Sequence, residues 1–534
     1  MLAHLAECAE EAGLSARRLW LDPLPGRIPL ADLGARYAGE FGRMAAAPFA
    51  LEAAVGELDD PASQAKRLLT LPLSAEGNAA LYGSAGSGME QVVAAILCSL
   101  LEAHGPEDLN AYIVDLGSEA LGAFRAAPQV GDVILTGDRE KVDNLFRILQ
   151  GELACRRRRL GAFGGDREAL FEATGETMPS ILVVVEGFER FCELFDPLVP
   201  ALIELTRDGA RCGIWFMVTA TRANGVPYRI LPNFKQKLAL EMASPDEYLS
   251  VFGSLRGAVP PKGRGRGLVK DGDGFLVFQG ASASEEEGAD FDAVRELCEA
   301  LSARYSGKAA EVPVLPETLD ARTFVDRTVD MSSVPVGLAK EDLSVLSFDF
   351  EKEPCWIVSG NDRDACVPFL KQVVQELEDH GVPYVVLDAT GEFGGHPLSE
   401  KLLEELFSEE GEVGRGKRIV VVPSLVALQE TLAAGCFGLI KDYVERGLGP
   451  SSHRFLLCDD ALDFSSFGIA SWYKKLTGKG NGVWIGNGVS GQILLKMVRA
   501  GIKFDDNPEK GLGYFVWKNS ATMMKHLGAS EERR

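Results

Sequence analysis

Residues 83–90 read Gly-Ser-Ala-Gly-Ser-Gly-Met-Glu, the spacing of a phosphate-binding loop, G-x-x-x-x-G-K-[ST]. An apolar run, Ala79 to Tyr82, leads into it, and Val92, Val93, Ile96 and Leu97 follow at helical spacing. That pattern predicts a strand, a tight loop and a helix. Glycines in such a loop let backbone N–H groups curl around an anion at a helix N-terminus. The candidate nucleotide-binding residues are therefore Gly83, Ser84, Ala85, Gly86, Ser87, Gly88, Met89 and Glu90. Two of them lack the chemistry of their positions. Met89 stands where a lysine would meet the phosphates, and Glu90 where a hydroxyl would ligate Mg²⁺. Losing one charge-assisted contact costs about 1.5–3 kcal/mol, roughly 10- to 100-fold in affinity. ATP is expected to bind weakly here, and Mg²⁺ binding is left open.

A second candidate group is the carboxylate of Glu186, which follows the apolar run Ile181 to Val185. A carboxylate at the end of a buried strand can orient an attacking water or hold a metal-bound one. Glu189, three residues on, is expected to be a solvated helix residue. No CxxC pair or Cys/His cluster suggests a metal site, and the ten cysteines are expected to be reduced thiols, several of them buried.

These landmarks recur in order. The loop at Gly83, a strand ending in Asp115, the strand before Glu186, the strand Gly213 to Thr219 and the run Gly265 to Lys270 form one series. Trp356 to Gly360, Tyr384 to Asp388, Ile419 to Pro423, Phe455 to Cys458 and Lys510 to Val516 form another. Short apolar runs alternating with amphipathic stretches predict strands buried on both faces and crossed by helices. Each half is thus expected to be an α/β domain with a mostly parallel sheet flanked by helices. The charged, proline-punctuated connector places the boundary at 308/309, giving domains 1–308 and 309–534.

The second loop, Gly360-Asn361-Asp362-Arg363-Asp364-Ala365-Cys366-Val367, keeps one glycine, and Asp362 and Asp364 would repel a polyphosphate. In the second half Pro423 falls at the position of Glu186. Asp459-Asp460 offers a competing carboxylate end, which the order of the repeat assigns to the following strand. With Pro368, Phe369 and Leu370 following the second loop, an apolar peptide groove over Gly360 to Leu370 is one expectation; packing of a core helix turn is the other.

At 534 residues, 46% hydrophobic and 25% charged, the chain suits two or three globular domains. It has no transmembrane-length apolar run and no cationic, apolar N-terminal leader. A formal charge of −23 argues against nucleic acid as a partner in the far field. Arg156 to Arg159 is the strongest basic run, and a charged helix face is its ordinary explanation. None of the six histidines lies beside a Ser or Cys in a recognisable nucleophile motif.

Leu202 to Thr221, Pro227-Tyr228-Arg229-Ile230-Leu231-Pro232-Asn233-Phe234-Lys235-Gln236, Gly263 to Lys270 and Phe278-Gln279 resemble the FtsK/SpoIIIE family. Within it they resemble the EssC/EccC motors of type VII secretion, as do Trp20 to Pro25, Asp59-Asp60-Pro61 with Gln64, and Val334 to Leu338. The resemblance covers nearly the whole chain, as the last two of three tandem motor domains, and implies two P-loop NTPase (RecA-like) folds. It implies a C-terminal fragment or a separately encoded piece, lacking the first motor, membrane segments and forkhead-associated modules. It implies a cytoplasmic location, which extends to the cytoplasmic face of the membrane within a larger assembly. Other motor domains or subunits and small helical WXG-motif secreted proteins are the implied partners. It also implies that Arg211 could reach a neighbouring subunit's phosphate and that Glu186 holds the acidic catalytic position. The expectation is a degenerate nucleotide-binding and regulatory module with little or no hydrolysis. A slow ATPase using the first site and a DNA translocase are the alternatives.

Overall fold

The computed structural model describes Cys8, Ala12 and residues 21–528, except 47–48, 166, 317, 320–323, 325–327, 395–397, 408–415 and 499–503. Trp20 lies outside the described residues. The chain divides into two compact units, Met1–Val312 and Pro313–Arg534.

In the first unit ten strands form one sheet: β1 (Glu52–Asp60), β2 (Ala65–Pro72), β3 (Asn78–Tyr82), β4 (Leu109–Asp115), β5 (Val130–Leu135), β6 (Ser180–Glu186), β7 (Ile214–Ala220), β8 (Phe234–Leu240), β9 (Arg266–Asp271) and β10 (Gly274–Gly280). Their order is β2-β1-β10-β9-β8-β3-β7-β6-β4-β5. From β8 to β5 every pairing is parallel. From β2 to β8 every pairing is antiparallel. This four-strand antiparallel wing was not foreseen, because the acidic residues along β1 (Glu52, Glu57, Asp59, Asp60) blur its apolar pattern.

The parallel strands are buried on both faces, as their unbroken apolar runs require. Leu182, Val184 and Met217 point into a cluster with Val93, Ile96 and Leu97 of α1 (Met89–Ala103). Val183, Val185 and Phe216 point the other way, against Leu145 and Leu149 of α2 (Arg139–Gly161), Phe188 and Phe191 of α3 (Phe188–Leu194), and Leu202 and Leu205 of α4 (Val199–Asp208). The helix α5 (Asp290–Arg304) packs outside α1, with Val294, Cys298 and Leu301 in the same cluster, so α1 is apolar almost all round.

The second unit has nine strands: β11 (Val334–Ala339), β12 (Val345–Phe348), β13 (Cys355–Gly360), β14 (Tyr384–Val386), β15 (Ile419–Val422), β16 (Arg454–Cys458), β17 (Gly482–Ile485), β18 (Leu512–Trp517) and β19 (Ser520–His526). Their order, β12-β11-β19-β18-β17-β13-β16-β15-β14, matches the first sheet position by position, short of a partner for β5. β15 therefore occupies the place of β6, and β16 that of β7.

Asn78, the first residue of β3, fixes the strand that carries the first loop. Its amide donates to Thr206 O (2.7 Å) and Asn233 O (3.1 Å), and its Oδ1 accepts from Phe216 N (2.8 Å). The bonds to Thr206 O and from Phe216 N are buried and the third is part-buried; an orphaned buried backbone group costs about 1–3 kcal/mol. Asn78→Ala should lower the stability of the first unit by about 2–4 kcal/mol, read as an earlier denaturant midpoint with an unchanged slope.

Candidate functional site

The first loop is built as its glycines predict. Gly86 (φ 83°) and Gly88 (φ 87°) are left-handed, and Gly88 is the N-cap of α1. The loop is pinned on three sides: Gly83 N donates to Ala220 O (3.1 Å), Ser84 N to Glu241 O (2.8 Å), and Gly265 N to Ser87 O (2.7 Å). A side chain at Gly88 would begin 2.7 Å from Gly265 N, and one at Gly83 would begin 2.5 Å from Ser87 Oγ. The glycines are thus needed by the protein's own packing as well as by any anion. Met89 is buried with its Cε folded back toward Gly83, and the buried Ser87 Oγ has no hydrogen-bond partner.

The charge around this cradle is inverted. Asp115, at the end of β4, is buried and accepts from the N–H groups of Gly117 (3.2 Å), Glu119 (3.1 Å) and Leu121 (3.0 Å). Glu186 ends the neighbouring β6 and is also buried. Burial, the adjacent Asp115 carboxylate and then Glu90 push the Glu186 carboxyl up to about 8. Its Oε2 lies so close to Gly117 that a side chain there would begin 1.9 Å away. Glu186 therefore holds a proton at neutral pH, a poor state for a group meant to deprotonate or orient water. Arg264 is a cationic side chain set against this loop, its Cγ 2.8 Å from where a side chain at Gly88 would begin. Its guanidinium pairs with Glu287 at 3.7 Å. Sequence reasoning missed it, because the Gly-Arg repeat carried no sign of which loop it would lie against.

Glu189 is the half-exposed helix residue expected, and it also has a structural task. It accepts from Thr221 N (2.6 Å), Thr221 Oγ1 (3.0 Å) and Arg222 N (3.2 Å), holding the chain as it leaves β7. Arg211 is exposed and lies just before β7, at the amino ends of the parallel strands, whereas the loop and Glu186 lie at the carboxyl ends. The seven residues of β7 separate the two edges by roughly 20 Å. The structure does not bring Arg211 to its own loop. Arg211 instead borders a depression of about 660 Å³ with Arg157, Asp208 and Gly164. The arginine run divides: Arg156 is buried and donates to Pro179 O (2.9 Å) and Cys212 O (3.1 Å), while Arg157 pairs with Asp208 (2.7 Å) and Arg159 with Glu176.

In the second unit the equivalent helix, α6 (Arg363–Asp379), is capped by the protein itself. Asp362 accepts from Asp364 N (2.9 Å) at the place where a phosphate would meet the helix N-terminus. Arg363 donates to Pro423 O (3.2 Å) and pairs with Glu392, and Asp388 accepts from the N–H groups of Thr390, Gly391 and Phe393. The apolar groove considered over Gly360 to Leu370 is absent. Cys366, Phe369 and Leu370 are wholly buried in the core with Phe348, Val358 and Leu456, because they form the inward face of α6. Asp459 and Asp460 are also caps. Asp459 accepts from Leu425 N (2.6 Å) and Val426 N (3.2 Å) at the start of α7 (Leu425–Thr431), and burial pushes its carboxyl up to about 6. Asp460 accepts from Asp463 N (2.8 Å).

The FtsK/SpoIIIE family model matches residues 54–258, from β1 through the loop and β6 to the helix after β8. The first unit carries an FtsK/SpoIIIE-family domain. The ESX secretion system protein YukB of Bacillus subtilis is 26% identical over 368 residues, 67% of this chain and 24% of that protein. The chain thus aligns with about a quarter of that relative's length. A solved structure of EssC ATPases 2 and 3 from Geobacillus thermodenitrificans superposes with a TM-score of 0.81 at 22% identity, covering 95% of this chain and 99% of that one. Thermomonospora curvata EccC ATPases 2 and 3, solved with a signal sequence peptide, gives 0.56 at 17% identity over 90% and 93%. The chain is homologous to the motor ATPase domains of type VII secretion, and its fold is that of their tandem pair.

Two expectations follow. Glu186 keeps a proton in the folded state that the unfolded chain releases near 4.5, so stability falls as pH rises from about 4.5 to about 8 and is flat above. Glu186→Gln should flatten that slope and raise the melting temperature at about pH 8.5 relative to wild type, a gain on the order of a few kcal/mol. Thermal unfolding at about pH 5.5 and 8.5 reads both effects. For the loops, Met89→Lys with Glu90→Thr should raise ATP affinity at the first site by about tenfold or more. Asp362→Ala should lower stability by about 1 kcal/mol and create no ATP site. Calorimetry with ATP on each variant distinguishes the two loops.

Proposed function

We propose that this chain is a catalytically degenerate tandem motor module of a type VII secretion machine, acting by binding and regulation on the cytoplasmic side of the membrane. The observation that carries this is the loss of phosphate-binding side chains at the first loop and the closing of the second by the protein's own carboxylate. In the first unit a buried methionine and three carboxylates, Glu90, Asp115 and Glu186, stand where a lysine, a hydroxyl and a metal would act. In the second, Asp362 caps the helix and Arg363 is tied to Glu392. Phosphoryl transfer works by placing cations around the β- and γ-phosphates, and these sites place carboxylates there. The residues do not fit a hydrolysable Mg²⁺–ATP complex, although the first backbone cradle is intact and would hold ATP weakly.

Its partners in this reading are neighbouring motor domains or subunits and small helical export substrates. Support comes from the homology to secretion motors and from the signal sequence peptide in the Thermomonospora EccC structure. Among the described residues no helix is long and apolar enough to cross a membrane. The retained cradle, with Arg264 beside it, is what a slow ATPase at the first site would use. Arg211, on the opposite edge of the sheet, could serve only a neighbour's site.

Purified chain should show no Mg²⁺-dependent ATP turnover above background. Calorimetry on residues 1–312 and 313–534 should place any ATP or ADP binding in the first piece alone. Turnover that disappears in Glu186→Gln would overturn the proposal in favour of the slow ATPase. A salt-sensitive shift of duplex DNA at micromolar protein would favour a translocase.

A further inference from the structure

The antiparallel wing of the first unit holds a cleft of about 530 Å³, well apart from the loop site. Its lining comes from β2 and Leu58 of β1, from β8 and β9, and from Val251 and Phe252 of the helix Pro245–Phe252. β2 and β8 are four strand spacings apart in the sheet order, roughly 19 Å if the sheet were flat. They line one cavity only because the wing curls, as strongly twisted antiparallel strands do. The volume is that of a cleft for one small organic molecule. Leu71, Leu238 and Val251 give it a buried apolar wall, and Phe252 packs edge-to-face on Phe275 at 5.0 Å.

Three lysines line the same cleft: Lys235, Lys237 and Lys270. Among the described residues none of them has a carboxylate within ion-pair distance. Lys237 is half-buried and donates to Val251 O (3.0 Å), and burial lowers its pKa below the ordinary lysine value. An ammonium has three donors, so one carbonyl leaves two of them for water or a ligand. The β8–β9 register pairs Ala239 with Leu268 and Leu238 with Val269, and its next step sets Lys237 across from Lys270. Like charges directly opposite on a sheet are destabilising unless an anion lies between them. The two carboxylates on the lining do not serve: Asp271 is taken by Arg67 at 2.7 Å, and Glu76 is exposed and outside ion-pair distance of the lysines. In a chain of net charge −23, a half-buried lysine pair beside an apolar wall is a local exception.

We propose that this cleft binds a small phosphate ester with an apolar body, the phosphate on Lys237 and Lys270 and the body against Leu71, Val251 and Phe252. Lysines favour phosphate, which they meet as compact point charges, whereas a carboxylate is best held by the arginine fork. The nearby arginine, Arg67, is already spent on Asp60 and Asp271. The site is distinct from the first loop: Lys237 lies four residues down β8 from Glu241, whose carbonyl holds Ser84 N, a separation of roughly 13 Å. It stands independently of the degenerate-motor reading. A ligand here would tie β2 to β8 and so stabilise the wing.

The test uses the full chain and 1-naphthyl phosphate, whose fluorescence reports binding, with 1-naphthol and inorganic phosphate as its two halves. The ester should bind saturably, about tenfold or more tighter than either half, and should raise the melting temperature of the wild-type chain. The double variant Lys237→Met and Lys270→Met keeps the apolar stems and should lose about tenfold or more for the ester, with 1-naphthol unchanged. Circular dichroism checks that the variant keeps its fold. Excess dihexanoyl phosphatidic acid separates two sources of the chemistry: displacement of the probe assigns the site to a lipid phosphate, and retention assigns it to a soluble ester. No binding of the ester, equal binding of the ester and 1-naphthol, or an ester affinity unchanged in the double variant would overturn the proposal. The last result would place the phosphate elsewhere, the first loop included. ATP turnover by the wild-type chain would overturn the degenerate-motor reading and leave this site untouched.

Discussion

A helix that starts directly after a buried central strand leaves N–H groups pointing at one spot, and something must meet them. In a working phosphate loop the ligand does so, and a lysine balances its charge. The two units of this chain meet the same constraint differently. The first keeps the open backbone cradle, held by contacts from β7, β8 and β9. The second closes it with the Asp362 carboxylate, which takes the hydrogen bond and the favourable end of the helix dipole together. Once a side chain is covalently in place there, a phosphate would have to displace it and also face Asp364. The second site is thus committed by its own sequence, whereas the first is only disarmed.

That difference explains the electrostatics of the first site. With no lysine at position 89, the loop itself supplies no cation against the carboxylates of Asp115 and Glu186 on adjacent strands. Asp115 accepts from three backbone N–H donors, whereas Glu186 has burial and two like charges against it, which push its carboxyl up to about 8. The acidic residue survives at its place in the fold while losing the ionisation that would make it useful. A residue type at a motif position is therefore weaker evidence of chemistry than its charge partners.

Much of this was legible in the sequence. The repeat could be read because buried parallel strands leave unbroken apolar runs, and its order assigned Ile419 to Val422 to the place of β6, where the sheet puts it. The missing Lys and Ser/Thr were visible at Met89 and Glu90. What sequence could not give was direction. Phe369 and Leu370 are as apolar in a groove as in a core, and only the packing of α6 against Phe348 and Val358 decides between them. Glu189 and Asp459 also act as backbone acceptors whose donors lie 32 to 34 residues away, which no local pattern could show.

The geometry of a parallel sheet also constrains any role beyond binding. All loops that could touch a nucleotide sit at the carboxyl edge, so a residue at the amino edge, such as Arg211, is mute in its own unit and can act only on a neighbour. A module whose own sites are disarmed can still complete a live site elsewhere, provided its amino edge is presented to one. On the proposed reading the two edges carry separable duties: the carboxyl edge lacks the lysine and hydroxyl of a working loop, and the amino edge presents an exposed arginine with no ion-pair partner among the described residues.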